Sequence, residues 1–468
     1  MKRLALVALW VLPVFGPVVA QTPGDTVRLT LDGAVERALA QSIAMRLARA
    51  NVVDANGQVR EALSGALPQV TGTFTYTRQF ASIYQGLGGS DTSSFAKAFQ
   101  NTPFGAPNTW NFQLQATQIL WEGGKVGAGL AAARSVRQIA TLAQSETAAD
   151  VTYAVKQAYW NAALQERLLG IAVENLAEAR QQLRQVQLFR QAGTRAEYDL
   201  LRAQVDAANQ EPPVVQARNN YDIAILDLKR LLTVPAGQPL VLETTLESPE
   251  ATIPVLATDS LGAPNRPGLA AAEVTVRQQE QLLKVARADR WPTLRVTTTY
   301  NEQAFPQSVF PGSGDQFRRG WNGEVKLSFP IFDGFKTSGS VEQARAAVLR
   351  AEAQRDSLQT QVALDVAQAQ AEVARTRALL VARRETVRQA QRAQYLAGVR
   401  YTNGMATQLD VSDARVAAQQ SAVNEVQATS EYFVALAQLE RALGRPVPVV
   451  QQPIERVAQA PNLKEARQ

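Results

Sequence analysis

The feature that most constrains this chain is a long proline-free stretch, Lys125 to Gln191, that occurs twice. Within it apolar residues recur every seven positions at Val155, Ala162, Leu169, Leu176 and Leu183. A second seam runs through Val151, Ala158, Ala172, Ala179 and Val186, with Gln165 its one polar member. Such a pattern predicts a long helix that lies along other helices and supercoils with them. At about 1.5 Å per residue it would be roughly 100 Å long, a length few globular helices reach.

The same features return 211 positions later (110 to 321). Trp110-Asn111 recurs as Trp321-Asn322, and Trp121-Glu122-Gly123 as Phe332-Asp333-Gly334. Lys125 becomes Lys336, and the seam Val155, Leu169, Leu176 becomes Val366, Leu380, Val387. Gly193, Asp199, Ala203 and Tyr221 return as Gly404, Asp410, Ala414 and Tyr432. One offset without a gap marks an internal duplication, so each half is one structural unit.

Composition removes several classes of function. There is no Cys and no His among 468 residues, which excludes Cys/His zinc sites, thiol nucleophiles and triads with a His base. No nucleotide loop or metal spacing is present, so no catalytic residue, metal ligand or cofactor is expected. The net charge of +6 is small for this length and comes without a basic cluster interleaved with aromatics, so no nucleic-acid partner is expected.

Residues 1–20 have the form of a secretory signal peptide: Lys2-Arg3, an apolar run from Leu4 to Phe15, and small residues at Val18-Val19-Ala20 before Gln21. The other reading, a retained anchor, is opposed by Pro13, Gly16 and Pro17 within the apolar run. Without Cys an N-terminal lipid anchor is not expected. Residues 21–235 form the first repeat, of a helix, a strand hairpin and a long helical hairpin. It opens with an amphipathic helix over Leu31 to Ser64, for which Asp32 is the expected N-cap.

After Pro68 the period changes to two. Val70, Phe74, Tyr76, Phe80 and Tyr84 share one face, and Thr71, Thr73, Thr75, Thr77 and Gln79 the other. Beyond a loop from Gly86 to Asn108, Trp110, Phe112, Leu114, Ala116 and Leu120 alternate with Asn111, Gln113, Gln115 and Thr117. The second copy repeats this after Pro292. There Leu294, Val296 and Tyr300 face one way, then Trp321, Val325, Leu327 and Phe329.

Alternation leaves two readings open. In a soluble sheet the apolar face is core. In an outer-membrane barrel it meets lipid, the polar face lines a lumen, and aromatics gather at the two interfaces. Trp110 and Trp321 near the strand starts, with Trp121 and Phe332 near the ends, would form that girdle, at a spacing of about ten residues that suits a tilted membrane strand. Four strands cannot close a barrel, which needs about eight, so chains would have to pool them: two chains give eight and three give twelve.

Each long helix is followed by a turn at Gly193 or Gly404 and a return helix, Asp199 to Leu232 or Asp410 to Leu443. Pro212-Pro213 stands where the second copy has Val423-Asn424, which predicts a kink or break in the first return helix alone. Residues 236–265 form a Pro-rich connector, 266–444 the second repeat, and 445–468 a polar C-terminal tail.

These residues resemble the TolC family of outer-membrane efflux channels over nearly the whole mature chain. The resemblance rests on the paired strand–helix repeats, on Leu67-Pro68 and Trp291-Pro292 before the strands, and on the turns Gly193…Asp199 and Gly404…Asp410-Val411…Asp413-Ala414. It implies a mixed α and β membrane protein: a homotrimer with a shared 12-stranded outer-membrane β-barrel, four strands per chain, continued by a long periplasmic α-helical coiled-coil barrel. The implied role is that of an exit duct for a tripartite efflux or type I secretion system. It would pass small molecules or polypeptides from an inner-membrane RND, ABC or MFS pump through a periplasmic adaptor (membrane fusion) protein. Its location would be the outer membrane, with a large periplasmic part. A function from another class is a periplasmic or surface coiled-coil scaffold without transport, which would stay soluble without detergent.

The resemblance also assigns roles to residues. Asp410 and Asp413, which share a helix face by their spacing, match an acidic ring at the periplasmic mouth. Three copies would converge there, bind cations and resist full ionisation. The plainer reading is that these acids complement the dipole of their own helix. Asp199 and Tyr401 match gate-holding contacts. Where a relative has Arg the chain has Ala406, and Arg195 in the first copy could supply the missing base or be a solvated surface residue.

Overall fold

The computed structural model describes residues 27–81, 106–193, 196–246, 254–256, 264–312, 314–447 and 449–451. The expected signal peptide, Tyr84, Arg195, most of the loop from Gly86, much of the expected connector and most of the expected C-terminal tail lie outside them.

In chain order the elements are β1 (Val27–Leu29), α1 (Leu31–Gln41), α2 (Ile43–Ser64), β2 (Gln69–Arg78), β3 (Asn108–Glu122) and α3 (Lys125–Gln191). Then come α4 (Glu197–Asn209), α5 (Glu211–Leu231), β4 (Leu240–Leu242), β5 (Pro254–Leu256) and α6 (Pro267–Ala288). The chain continues through β6 (Thr293–Ala304), β7 (Arg318–Ser328), α7 (Lys336–Thr402), α8 (Gln408–Leu443) and β8 (Val449–Gln451). The long helices α3 and α7 are each 67 residues, and both their ends obey the 211-residue offset.

Two details differ from the sequence reading. The first helix breaks at Ser42, whose extended backbone separates α1 from α2. Its N-cap is Thr30, whose hydroxyl accepts a hydrogen bond from the Gly33 amide at 3.1 Å, and Asp32 sits within the first turn instead. The expected break at Pro212-Pro213 is present: α4 stops at Asn209, and the two prolines open α5, where a missing amide costs nothing.

The chain divides into two units, and α3 and α7 each contribute to both. One comprises residues 1–42, 154–251 and 377–434. Its core is the helix seam Val155, Ala162, Ala172, Ala179 and Val186 with Leu380 and Val387, all buried. Leu169, Leu176 and Leu183 are only half-buried, and polar Asn175 takes a core position beside Ala172 and Ala179. Here too β1 pairs in parallel with β4. Tyr159 locks that pair: its buried hydroxyl donates to the Leu29 carbonyl and accepts from the Thr244 amide, both at 3.0 Å. Trp160 stacks on Phe433 with centroids 4.3 Å apart.

The other unit comprises residues 43–153, 252–376 and 435–468. Its centre is an antiparallel sheet in the order β2-β3-β6-β7. A short antiparallel pair, β5 with β8, brings the start of the tail back to the connector. The N-terminus of α6 is held by Arg266, which bonds Glu146 on α3 and Asp365 on α7, each at 2.9 Å, while Glu146 also accepts from the Gly268 amide.

Candidate functional site

The four-stranded sheet has two chemically opposite faces, and the register defines them. Phe74 pairs with Phe112 and Tyr76 with Trp110; Leu114 pairs with Tyr300, and Tyr300 with Trp321; Val296 pairs with Val325 and Leu294 with Leu327. All of these fall on one face. Thr71, Thr73, Thr75, Thr77, Asn111, Gln113, Gln115, Thr117, Thr297, Thr299 and Asn322 fall on the other.

A bulge between Ile119 and Trp121 adjusts the end of β3. The extra residue turns Trp121 onto the apolar face, opposite Leu294, where strict alternation would have turned it away. There it meets Trp291 edge-on at 6.2 Å. Gly123, at φ 56°, permits this junction, because a Cβ there would lie 2.7 Å from that of Trp291. Of the expected girdle, Trp110 lies near the start of β3 and donates its indole N–H to the Val309 carbonyl at 2.8 Å. Trp321 lies on β7, 80 % exposed, its indole N–H bonded to Thr298 at 2.8 Å. Phe332 does not end a strand: β7 stops at Ser328, and Phe332 lies in the following turn against Phe335.

The apolar face is bare. Val70, Phe74, Trp321, Val325 and Leu327 are all more than half exposed, a patch that a water-soluble sheet would have to cover. The edges β2 and β7 carry unpaired backbone groups along their outer sides. Among the described residues no helix is long and apolar enough to cross a membrane, which says nothing of a β-barrel.

The second site is the pair of turns at the ends of α3 and α7. Gly193 (φ 75°) and Gly404 (φ 74°) stand at equivalent positions and take the left-handed conformation that closes a helix. Their following helices start differently. Thr407 and Asp410 form a reciprocal cap: the Thr407 amide and hydroxyl both donate to the Asp410 carboxylate at 2.8 Å, and the Asp410 amide donates back to the Thr407 hydroxyl at 3.3 Å. The amide bond, then the hydroxyl bond, hold the Asp410 carboxyl below its usual range. The equivalent of Thr407 is Ala196, which gives α4 no side-chain cap.

Tyr401 is buried in the last turn of α7, and its carbonyl accepts from the Gly404 amide at 3.0 Å. Asp199 lies in the first turn of α4, and Asp413 lies in α8 three residues beyond the first-turn Asp410. The return helices are tied by a contact that sequence reading missed. Asp206 on α4 accepts from Ser412 at 3.2 Å and pairs at 3.7 Å with Arg415 on α8, whose side chain is 11 % exposed. Gln182 on α3 bonds Gln408 at 3.0 Å beside them. Nothing in the sequence marks this pair, because its partners lie in different repeats at positions that are not equivalent. Among the described residues no cluster of His, Cys, Asp or Glu has a metal-binding arrangement.

A sheet with an apolar and a polar face, open at both edges and continued by very long helices, defines a wall segment of an outer-membrane conduit. Residues 34–234 and 262–445 match the outer membrane efflux protein family, and the chain belongs to that family. It is 29 % identical over 262 residues to protein CyaE of Bordetella pertussis, a match covering 55 % of this chain and 54 % of that protein. It is 23 % identical over 430 residues to outer membrane efflux protein BepC of Brucella suis, covering 89 % and 85 % of the two chains. Among solved structures the outer membrane protein VceC of Vibrio cholerae superposes with a TM-score of 0.71 at 20 % identity, over 89 % of this chain and 96 % of that one. The outer membrane channel CmeC of Campylobacter jejuni gives 0.70 at 19 %, over 88 % and 85 %. The fold is that of these channels, and the chain is an outer-membrane protein.

Proposed function

We propose that this chain is one subunit of a trimeric exit duct that passes cargo across the outer membrane from a periplasmic adaptor and an inner-membrane RND, ABC or MFS pump. The observation that carries the reading is the bare two-faced sheet with open edges. Three copies, edge to edge, give a twelve-stranded barrel with every backbone group paired, lipid outside and water within. The soluble-scaffold alternative would leave the apolar face in water. Purified protein reconstituted in planar bilayers should conduct ions, and its mass should be that of three chains. A monomer that is soluble without detergent and carries no current would end the reading.

In this duct the turn end is the periplasmic mouth. Asp410 and Asp413 form its acidic ring, and Asp199, Tyr401 and Arg195 take part in the contacts that hold it closed. Trp110, Trp121, Trp321 and Phe332 lie at the lipid interfaces. Asp410 has a second task as a helix cap, so Asp410→Asn with Asp413→Asn, which keeps an acceptor for the Thr407 amide, is the cleaner test. Polyvalent cations added on the mouth side should block the parent pore more strongly than the double variant. Equal block would place the ring elsewhere.

A further inference from the structure

The polar face of the sheet carries an unbalanced charge that the exit-duct reading does not itself require. Register places Arg295 on β6 directly opposite Lys326 on β7, and both are exposed. Like charges directly opposite each other weaken a sheet. The apolar face shows the ordinary solution: Glu302 stands opposite Arg319, and the two pair at 2.9 Å. Arg295 and Lys326 make no such ion pair among the described residues.

The remaining charges on the polar face do not cancel them. Glu324 lies two residues from Lys326, opposite Thr297. Glu122, at the end of β3, shares Lys125 at 3.8 Å with Asp289, which Lys125 bonds at 2.7 Å. Arg318, at the far end of β7, adds another positive charge. In the proposed trimer the described part of the neighbouring strand brings no carboxylate either. The strand that would meet β7 across the subunit boundary is β2, whose polar face is Gln69, Thr71, Thr73, Thr75 and Thr77.

We infer that Arg295 and Lys326 form a cationic ring inside the barrel, near its junction with the helices, and that this ring selects for anionic cargo bearing phosphate or carboxylate groups. The inference rests on the exit-duct reading, which turns this face toward the lumen. Each subunit contributes both cations, and convergence on one axis concentrates their field in a confined aqueous passage. Arginine supplies a fork that suits a carboxylate or phosphate, and lysine a point charge beside it. Cargo leaving the acidic mouth would meet the opposite sign at the barrel.

The test uses full-length protein in planar bilayers, with inorganic tripolyphosphate added on the barrel side. Tripolyphosphate should block the parent current, and Arg295→Gln with Lys326→Gln should weaken that block roughly ten-fold or more while the open pore still conducts. Glu324→Gln, which removes the nearby negative charge, should strengthen it. Equal block of parent and double variant, both conducting, overturns the cationic ring and leaves the duct standing. A parent protein that carries no current overturns the duct and the ring with it.

Discussion

The two return limbs come from one duplicated unit and have diverged. The first is two helices, α4 and α5, with the break at Gln210 and two prolines just beyond it. The second, α8, runs unbroken for 36 residues. The first starts at Ala196 with no side-chain cap, and the second at a reciprocal Thr407–Asp410 cap. The turns before them are alike, at Gly193 and Gly404. Local chemistry within a shared architecture therefore predicts that the first limb is the softer.

The most forceful way to break this contrast is to move the prolines. Val423→Pro with Asn424→Pro should cost α8 about 3 kcal/mol or more, read as lost amide-exchange protection through its middle. The reciprocal Pro212→Val with Pro213→Asn should join α4 to α5 and raise protection across residues 209–213. If the break at Gln210 persists there, the prolines are not its cause.

The tie between the limbs comes next. Asp206→Ala leaves Arg415 nearly buried without its carboxylate and should cost about 1–3 kcal/mol in thermal or denaturant unfolding. Asp227→Ala removes an exposed partner of Arg230 and should change stability by less than about 0.5 kcal/mol. Equal effects would mean that the cross-limb tie is no stronger than a surface ion pair.

Capping is smaller. Thr407→Ala should lower protection in the first turn of α8 by about 1 kcal/mol, and Ala196→Thr should raise it at the start of α4 by a similar amount or less. The smallest effect is in pH. The Asp410 carboxyl is held below its usual range, so its support of the α8 cap is fully present above that range and is lost as pH falls through the lowered value. First-turn exchange in α8 should therefore loosen in acid below about pH 4. Asp410→Asn should abolish that dependence.

The duplication, both ends of the long helices and the proline break were legible in the sequence, because each is written in local spacing or in a residue that cannot continue a helix. The two-faced strands were legible too, but not whether the apolar face is covered as a core. That needed the sheet itself, whose apolar face is bare. The bulge that turns Trp121 was hidden, since an inserted residue looks like any other until its pairing is known. Thr30 was passed over for Asp32 because both are good caps two positions apart, and only backbone geometry separates them. The three-residue strands β1 and β4 take their definition from each other rather than from their own composition. Alternation puts Arg295 and Lys326 on the polar sides of their strands, but only register sets them face to face.

The open margins of the sheet carry a consequence for biogenesis. A solitary subunit has no safe resting state in the bilayer, because its β2 and β7 amides would face hydrocarbon. In the proposed duct, membrane insertion and assembly would then be one event, and a chain awaiting its sisters would hold its greasy side in water.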